Sequence, residues 1–243
     1  MDNEFSASYE AFLAERRAEL LARIAEAAAR VGRSADEVEV LAVSKTVGPE
    51  EVVLAWQAGY RRFGENRPQE LTRKRTALAQ VEGLPEIPFD MIGNLQKNKI
   101  NQVLGNVRLI HSVSSPHLAE AISKRAEARG ITAPVLLEVN VSGEGSKSGF
   151  VPHEVLAAAE DLVKLGGISV EGVMTMAPAH DADAARKTFS GLRELRDELR
   201  VVTGLPLDVL SCGMSDDFGI AVEEGSTLVR LGRIVFDQGY KLS

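Results

Sequence analysis

VEVLAVSKT, residues Val38–Thr46, is a near-continuous aliphatic run that ends in a lysine and a threonine. A strand with one solvated face alternates apolar and polar residues, whereas a parallel strand covered on both faces is apolar throughout. VLLEVNV (Val135–Val141) and VEGVMTM (Val170–Met176) have the same character. Outward from these runs, short β-branched stretches alternate with helical ones, joined by turns that carry Gly, Asn, Ser or Pro. Strands are predicted at Val38–Ser44, Arg61–Gly64, Ile87–Ile92, Arg108–Val113, Pro134–Val141, Ser169–Met176, Asp208–Ser211 and Thr227–Val235. Between them the pattern predicts helices, among them Pro49–Ala58, Gln96–Leu104, Pro116–Ala128, Pro152–Leu165, Asp183–Val202 and Asp217–Glu223. Pro49, Pro116 and Pro152 stand where a helix begins, the position at which a missing amide hydrogen costs nothing.

Eight strand–helix units in order predict an α/β fold, a single (β/α)8 TIM barrel, with an open doubly wound sheet as the structural alternative. Ahead of the first strand, Tyr9–Arg30 carries Phe12, Leu13, Leu20, Leu21, Ile24 and Ala28 at helical spacing and stops at Gly32. This predicts an extra N-terminal helix, residues 1–32, packed on the barrel. No linker or low-complexity stretch divides the 243 residues, so 1–243 is expected to be one domain.

Composition narrows the function. Acidic residues outnumber basic ones, 35 against 28, which argues against nucleic acid or an anionic membrane as a partner. No apolar run approaches the ~18 residues of a membrane span, and the charged N-terminus does not read as a signal peptide. Cys212 is the one cysteine, which excludes an internal disulfide and fits a reducing compartment, so a cytoplasmic location is expected. The histidines at 111, 117, 153 and 180 form no metal-ligand cluster, and no metal is expected. No exposed heptad seam is evident, and a monomer is expected.

Function in such a barrel sits at the C-terminal ends of the strands. Lys45 ends the most apolar strand and is expected in a partly desolvated pocket, where an amine keeps its lone pair available to attack an aldehyde. The alternative is a loop lysine whose head reaches water. Ser211–Asp217, SCGMSDD, leaves the seventh strand and opens a short helix, so Ser215 and nearby amides can meet an anion. Equally, Ser215 or Asp216 can simply cap that helix. Gly232 and Arg233 follow the eighth strand, in the other loop that barrels use for phosphate. GEGSKSG (Gly143–Gly149) lacks the spacing of a nucleotide-binding loop and reads as a mobile loop, with Lys147 a transient amine.

With these residues in hand, the chain resembles the YggS/PROSC family of pyridoxal 5'-phosphate (PLP) homeostasis proteins over nearly its whole length. The blocks that carry the resemblance are LAVSKT (41–46), FGENRPQE (63–70), IGNLQKNK (92–99), HSVSS (111–115), VNVSGEGSKSGF (139–150), GVMTMAP (172–178), LSCGMSDD (210–217) and GSTLVRLG (225–232). The resemblance implies a barrel similar to the cofactor-binding domain of alanine racemase, that is, PLP fold type III-like, with the cofactor held as an internal aldimine on Lys45. It also implies that Ser211, Ser215, Gly232 and Arg233 lie near the phosphate and that Asn66 and Met174 lie near the ring.

Three departures stand out. FDMIG has Asp90 where the family has histidine. GRIVFD places Arg233 and Asp237 where the family usually reads GxxIFG. Ser146 beside Lys147 is a milder change. At Arg233, a guanidinium can clamp the phosphate, or turn outward and leave the backbone amides to bind it.

Alanine racemase takes its opposing base, a tyrosine, from a second β domain, and Tyr9, Tyr60 and Tyr240 offer no obvious substitute. The expected function is therefore a non-enzymatic carrier or buffer of PLP in vitamin B6 homeostasis, with no catalytic residue. PLP, other B6 vitamers and apo PLP enzymes are the expected partners. The alternatives are an amino-acid racemase and a class I aldolase-like Schiff-base enzyme.

Overall fold

The computed structural model describes residues 3–145 and 147–241. Eight parallel strands close into a barrel in sequence order: β1 Glu39–Val43, β2 Phe63–Glu65, β3 Phe89–Met91, β4 Ile110–Val113, β5 Ala133–Glu138, β6 Ile168–Met174, β7 Val209–Ser211 and β8 Leu228–Leu231. β8 closes on β1 with Glu39 opposite Leu228 and Ala42 opposite Leu231. The open sheet is thereby ruled out.

The helices are α1 Asn3–Arg30, α2 Pro49–Gln57, α3 Pro68–Leu78, α4 Ile100–Val103, α5 Pro116–Glu127, α6 Pro152–Leu162, α7 Ala182–Thr203, α8 Phe218–Glu223 and α9 Arg233–Phe236. Proline occupies the first helical turn of α2, α3, α5 and α6. α7 ends on Gly204 in the left-handed region, φ 69°, where only glycine is free of strain.

The structure differs from the sequence reading at two points. The segment after the second strand carries no predicted helix bounds of its own; it forms α3, which buries Leu71, Leu78 and Lys74. The predicted eighth strand ran to Val235, but the strand stops at Leu231. Gly232 breaks the extended backbone, and Val235 and Phe236 donate back to its carbonyl. Ile234, Val235 and Phe236 then pack under α1, where Tyr9 Oη donates to Phe236 O and Arg16 to Ile234 O. Leu13, Leu20 and Ile24 of α1 are fully buried. Each contributes about 1.5–3 kcal/mol by leaving water.

Alternation along the strands sorts side chains into two sets. Ala42, Phe63, Phe89, Ile110, Val135, Val173, Leu210 and Val229 face the helices. Their neighbours face inward: Leu41, Leu136, Met174 and Leu228 fill the interior together with a set of buried charged and polar groups. Among the described residues no helix is long and apolar enough to cross a membrane.

Candidate functional site

The inward charged groups form one chain. Arg62 Nε donates to Asp90 Oδ2 at 2.7 Å, and His111 Nε2 lies 2.9 Å from the same oxygen. His111 Nδ1 lies 3.2 Å from Ser211 Oγ, which accepts from Arg230 at 2.8 Å. Arg230 also donates to Thr175 O at 2.9 Å. A carboxylate only accepts, so the His111 proton sits on Nε2 and Nδ1 accepts from Ser211. Burial holds the His111 imidazole below its usual pKa, against the opposing pull of the Asp90 carboxylate. The FDMIG departure is thus accommodated: Asp90 is held by Arg62 and His111.

At the mouth, the sequence-predicted residues come from different loops. Lys45 follows Ser44 just beyond the end of β1 and is exposed, not partly desolvated as expected. Beneath it, Ser44 is fully buried and donates to Glu65 Oε1 at 2.9 Å. Lys74 of α3, 1% exposed, pairs with the same Glu65 oxygen and donates to Ser44 O at 2.5 Å. Asn66 is half-buried beside Gly93; a Cβ on that glycine would stand 2.3 Å from Asn66 O, so the two loops need glycine there to approach. Met174 is 2% exposed and belongs to the interior cluster below the mouth.

Across the mouth, Ser215 is half-buried and its Oγ accepts from the Ile234 amide at 3.3 Å. Gly232 is half-buried at the start of α9. Arg233 turns outward: it pairs with Asp216 at 2.7 Å, lies over the Tyr240 ring at 5.5 Å, and its side chain is 63% exposed. Ser211 is fully buried within the charged chain. A cavity of about 530 Å³ is lined by Ser215, Asp216, Ile234 and Tyr240, but it opens between α1, α7 and α8 and does not include Lys45.

Three groups were not picked out from the sequence as site residues. Arg230, inside β8, is 5% exposed. Glu138, the last residue of β5, is 2% exposed; burial raises its pKa, while Ser148 and Arg230 pull the other way. Its Oε1 accepts from Ser148 at 2.8 Å and its Oε2 has no partner among the described residues. Lys74 is the third. The signal for Arg230 and Glu138 was available: each is a lone charge inside an apolar strand, and such a charge needs a partner.

The glycine-rich loop wraps Asn140, which donates to Glu144 O and Lys147 O. Lys147 Nζ reaches Met176 O at 3.2 Å and Glu144 Oε2 at 2.5 Å; Ser146 lies outside the described residues. Cys212 is buried and burial pushes its thiol up to about 12, which fits a small packing residue. No group of metal-binding side chains occurs among the described residues.

Over residues 18–238 the sequence matches the family described as alanine racemase, N-terminal domain. It is 40% identical over 225 residues to the pyridoxal phosphate homeostasis protein of Aquifex aeolicus, covering 92% of this chain and 97% of that one. The chain belongs to the pyridoxal phosphate homeostasis protein family. The mouse member is 37% identical over 84% of this chain and 78% of its own. Among solved structures, PipY of Synechococcus elongatus with PLP bound superposes with a TM-score of 0.81 at 32% identity, over 92% of this chain and 99% of that one. Alanine racemase of Clostridium difficile has a TM-score of 0.72 at 19% identity over 97% of this chain and 58% of its own, a likeness of fold.

Proposed function

We propose that this protein binds PLP as a Schiff base on Lys45 and serves as a carrier or buffer of the cofactor in vitamin B6 homeostasis, without catalysis. The observation that carries the proposal is the contrast among lysines at the mouth. Lys45 is exposed at the end of β1, where its amine can meet an aldehyde and release water. Lys74 is buried and engaged by Glu65 and Ser44, and Lys147 is tied to Met176 O and Glu144.

The rest of the mouth fits the group. Ser215, with the amides near Gly232, would take the phosphate, and Asn66 and Met174 would border the ring. Arg233, paired with Asp216, would act from the side or leave the phosphate to the amides. PLP stabilises carbanions in enzymes, but only where a positioned group moves a proton.

The tyrosines support a carrier rather than a racemase. Tyr9 and Tyr240 are pushed up to about 12, chiefly by burial, and Tyr60 is raised further by the same cause. Tyr9 donates to Phe236 O and Tyr240 to Asp216, and the Tyr60 hydroxyl is buried, so none is presented as a free second base. The PLP-bound PipY and the names of the curated relatives support the cofactor. The reading extends to other B6 vitamers as ligands and to apo PLP enzymes as recipients. It also takes residues 1–243 as one cytoplasmic, monomeric domain.

The test is the absorption spectrum with added PLP in wild type and Lys45→Ala, then borohydride reduction and mapping of the modified residue. An imine band in the wild type alone, with the adduct on Lys45, is expected; an adduct mainly on another lysine overturns the assignment. Transfer to an apo PLP enzyme beyond that explained by free PLP checks the carrier role.

A further inference from the structure

The end of the barrel opposite Lys45 carries a concentration of arginine that the proposed function does not use. Arg62 precedes β2, Arg108 precedes β4, and with Arg17 of α1 and Arg61 they line a concavity of about 240 Å³ beside the start of β1. Among the described residues Glu39 is the one carboxylate on its wall, and it is shared by Arg62 and, at 3.6 Å, by Arg108. Asp90 takes the other face of Arg62 from inside the barrel. Arg17 and Arg61 have no carboxylate partner among the described residues. This excess of positive charge stands on a chain of net charge −7.

The arginines are also held in place. Arg61 lies over the Trp56 ring at 4.6 Å and donates one nitrogen to Trp56 O and Tyr60 O, which leaves the rest of its fork free. Arg17 lies against Gly59, where an added Cβ would stand 3.3 Å from Arg17 Nε; the φ of +101° also favours glycine there. Tyr60 lines the same concavity, is 2% exposed, and its hydroxyl has no hydrogen-bond partner among the described residues. Burial keeps that hydroxyl protonated, against the opposing pull of the Arg17 guanidinium.

We propose that this concavity is a second, non-covalent site for a phosphate group, either inorganic phosphate or a small phosphomonoester. Guanidinium forks match the paired oxygens of a phosphate. The volume lies below the range of pockets that enclose drug-sized ligands, so the ligand is smaller than a nucleotide. Leu20, Leu21, Val38 and Val40 form the apolar part of the wall, which suits a short organic stub on the phosphate.

The experiment is calorimetric titration of PLP-loaded protein with inorganic phosphate and with glycerol 3-phosphate, in wild type, Arg17→Gln, Arg61→Gln and Lys164→Gln. Lys164 is an exposed lysine next to helix α6, and its substitution removes the same unit of charge elsewhere on the surface. Saturable 1:1 binding is expected, weakened about tenfold or more by either arginine substitution, since each removes charge-assisted hydrogen bonds, and unchanged by Lys164→Gln. Tighter binding of the ester assigns the site to a phosphorylated metabolite, and tighter binding of the ion to free phosphate. Absence of saturable binding, or equal weakening by Lys164→Gln, overturns the proposal. If the chain does not load PLP at Lys45, the dependence on Arg17 and Arg61 still decides this site, because both stand at the other end of the barrel. Thermal unfolding of each variant verifies its fold.

Discussion

Asp90→Ala should be among the most damaging single changes inside the barrel. Asp90 is fully buried and its Oδ2 holds both the Arg62 guanidinium at 2.7 Å and His111 Nε2 at 2.9 Å. Removing it leaves an imidazole donor and part of a guanidinium, 7% exposed, without the acceptor they were built around. Breaking a buried ion pair by deleting one partner costs about 3–5 kcal/mol. Two influences hold the value at that scale rather than above it: Glu39 still engages Arg62, and Asp90 Oδ1 has no partner among the described residues, so its desolvation is relieved. For a chain of this length the loss corresponds to a fall in Tm of about 6–20 °C. Urea denaturation supplies the free energy, and scanning calorimetry the Tm. Asp90→Asn, which keeps the shape and one acceptor, should lose less. A double variant Arg62→Met, Asp90→Leu should recover the part of the deficit that comes from Arg62, because a buried pair replaced by apolar residues is often neutral, while His111 Nε2 stays without its acceptor. A loss below about 1 kcal/mol for Asp90→Ala would refute the reasoning, since it would mean that the chain of charges is not formed.

Two further outcomes follow from the same core. The His111 imidazole, faced by Asp90, Arg62, Arg230 and Ser211, is held neutral below its usual pKa. Below about pH 6.5 the unfolded chain binds a proton there that the folded chain refuses, so stability falls as pH drops, by about 1.4 kcal/mol per pH unit from this group. Denaturation from pH 7.5 to 5.5 should show a shallower slope in His111→Gln, and identical slopes would count against a buried neutral histidine. Gly172→Ala should abolish soluble protein or cost more than about 3 kcal/mol, because its Cβ would stand 1.8 Å from the Val209 carbonyl in the paired strand. Gly219→Ala in α8, where the added atom meets nothing within 4 Å, should instead be neutral or stabilising by up to about 1 kcal/mol in the same denaturation assay.

The barrel was legible because its strands are buried on both faces, and only a covered parallel sheet demands runs such as VEVLAVS. Proline at first helical turns marked where the return helices begin. The eighth unit was misread for the same reason that the others were read correctly. LVRLGRIVF is aliphatic or aromatic apart from Arg230, Gly232 and Arg233, and the apolar residues of its two halves are buried against different partners, first neighbouring strands and then α1. Periodicity does not separate a buried strand from a buried helix over so few residues. The burial of Lys74 in α3 was not legible, because its partners Glu65 and Ser44 O come from elsewhere in the chain and no local pattern reveals them. For Lys45 the sequence located the residue at the strand end, but its exposure depends on how the surrounding loops stand, which no local pattern records.

The interior chain bears on how the two serines of SCGMS divide their work. Asp90 fixes the proton of His111 on Nε2, so His111 Nδ1 must accept, and the Ser211 hydroxyl must be its donor. Ser211 Oγ in turn accepts from Arg230. Its proton is committed and its oxygen partly so, and the residue is fully buried. A group so engaged has no proton to offer a phosphate, and on this reading Ser211 would position the Arg230 guanidinium rather than bind the ligand. Ser215 differs, being half-buried and accepting from the Ile234 amide, so its own hydroxyl proton stays available at the start of α9. On this reasoning Ser215→Ala should weaken retention of the phosphate end of PLP directly. Ser211→Ala would act through Arg230, and its effect on binding should track its effect on stability, because it removes a buried acceptor and a buried donor at once.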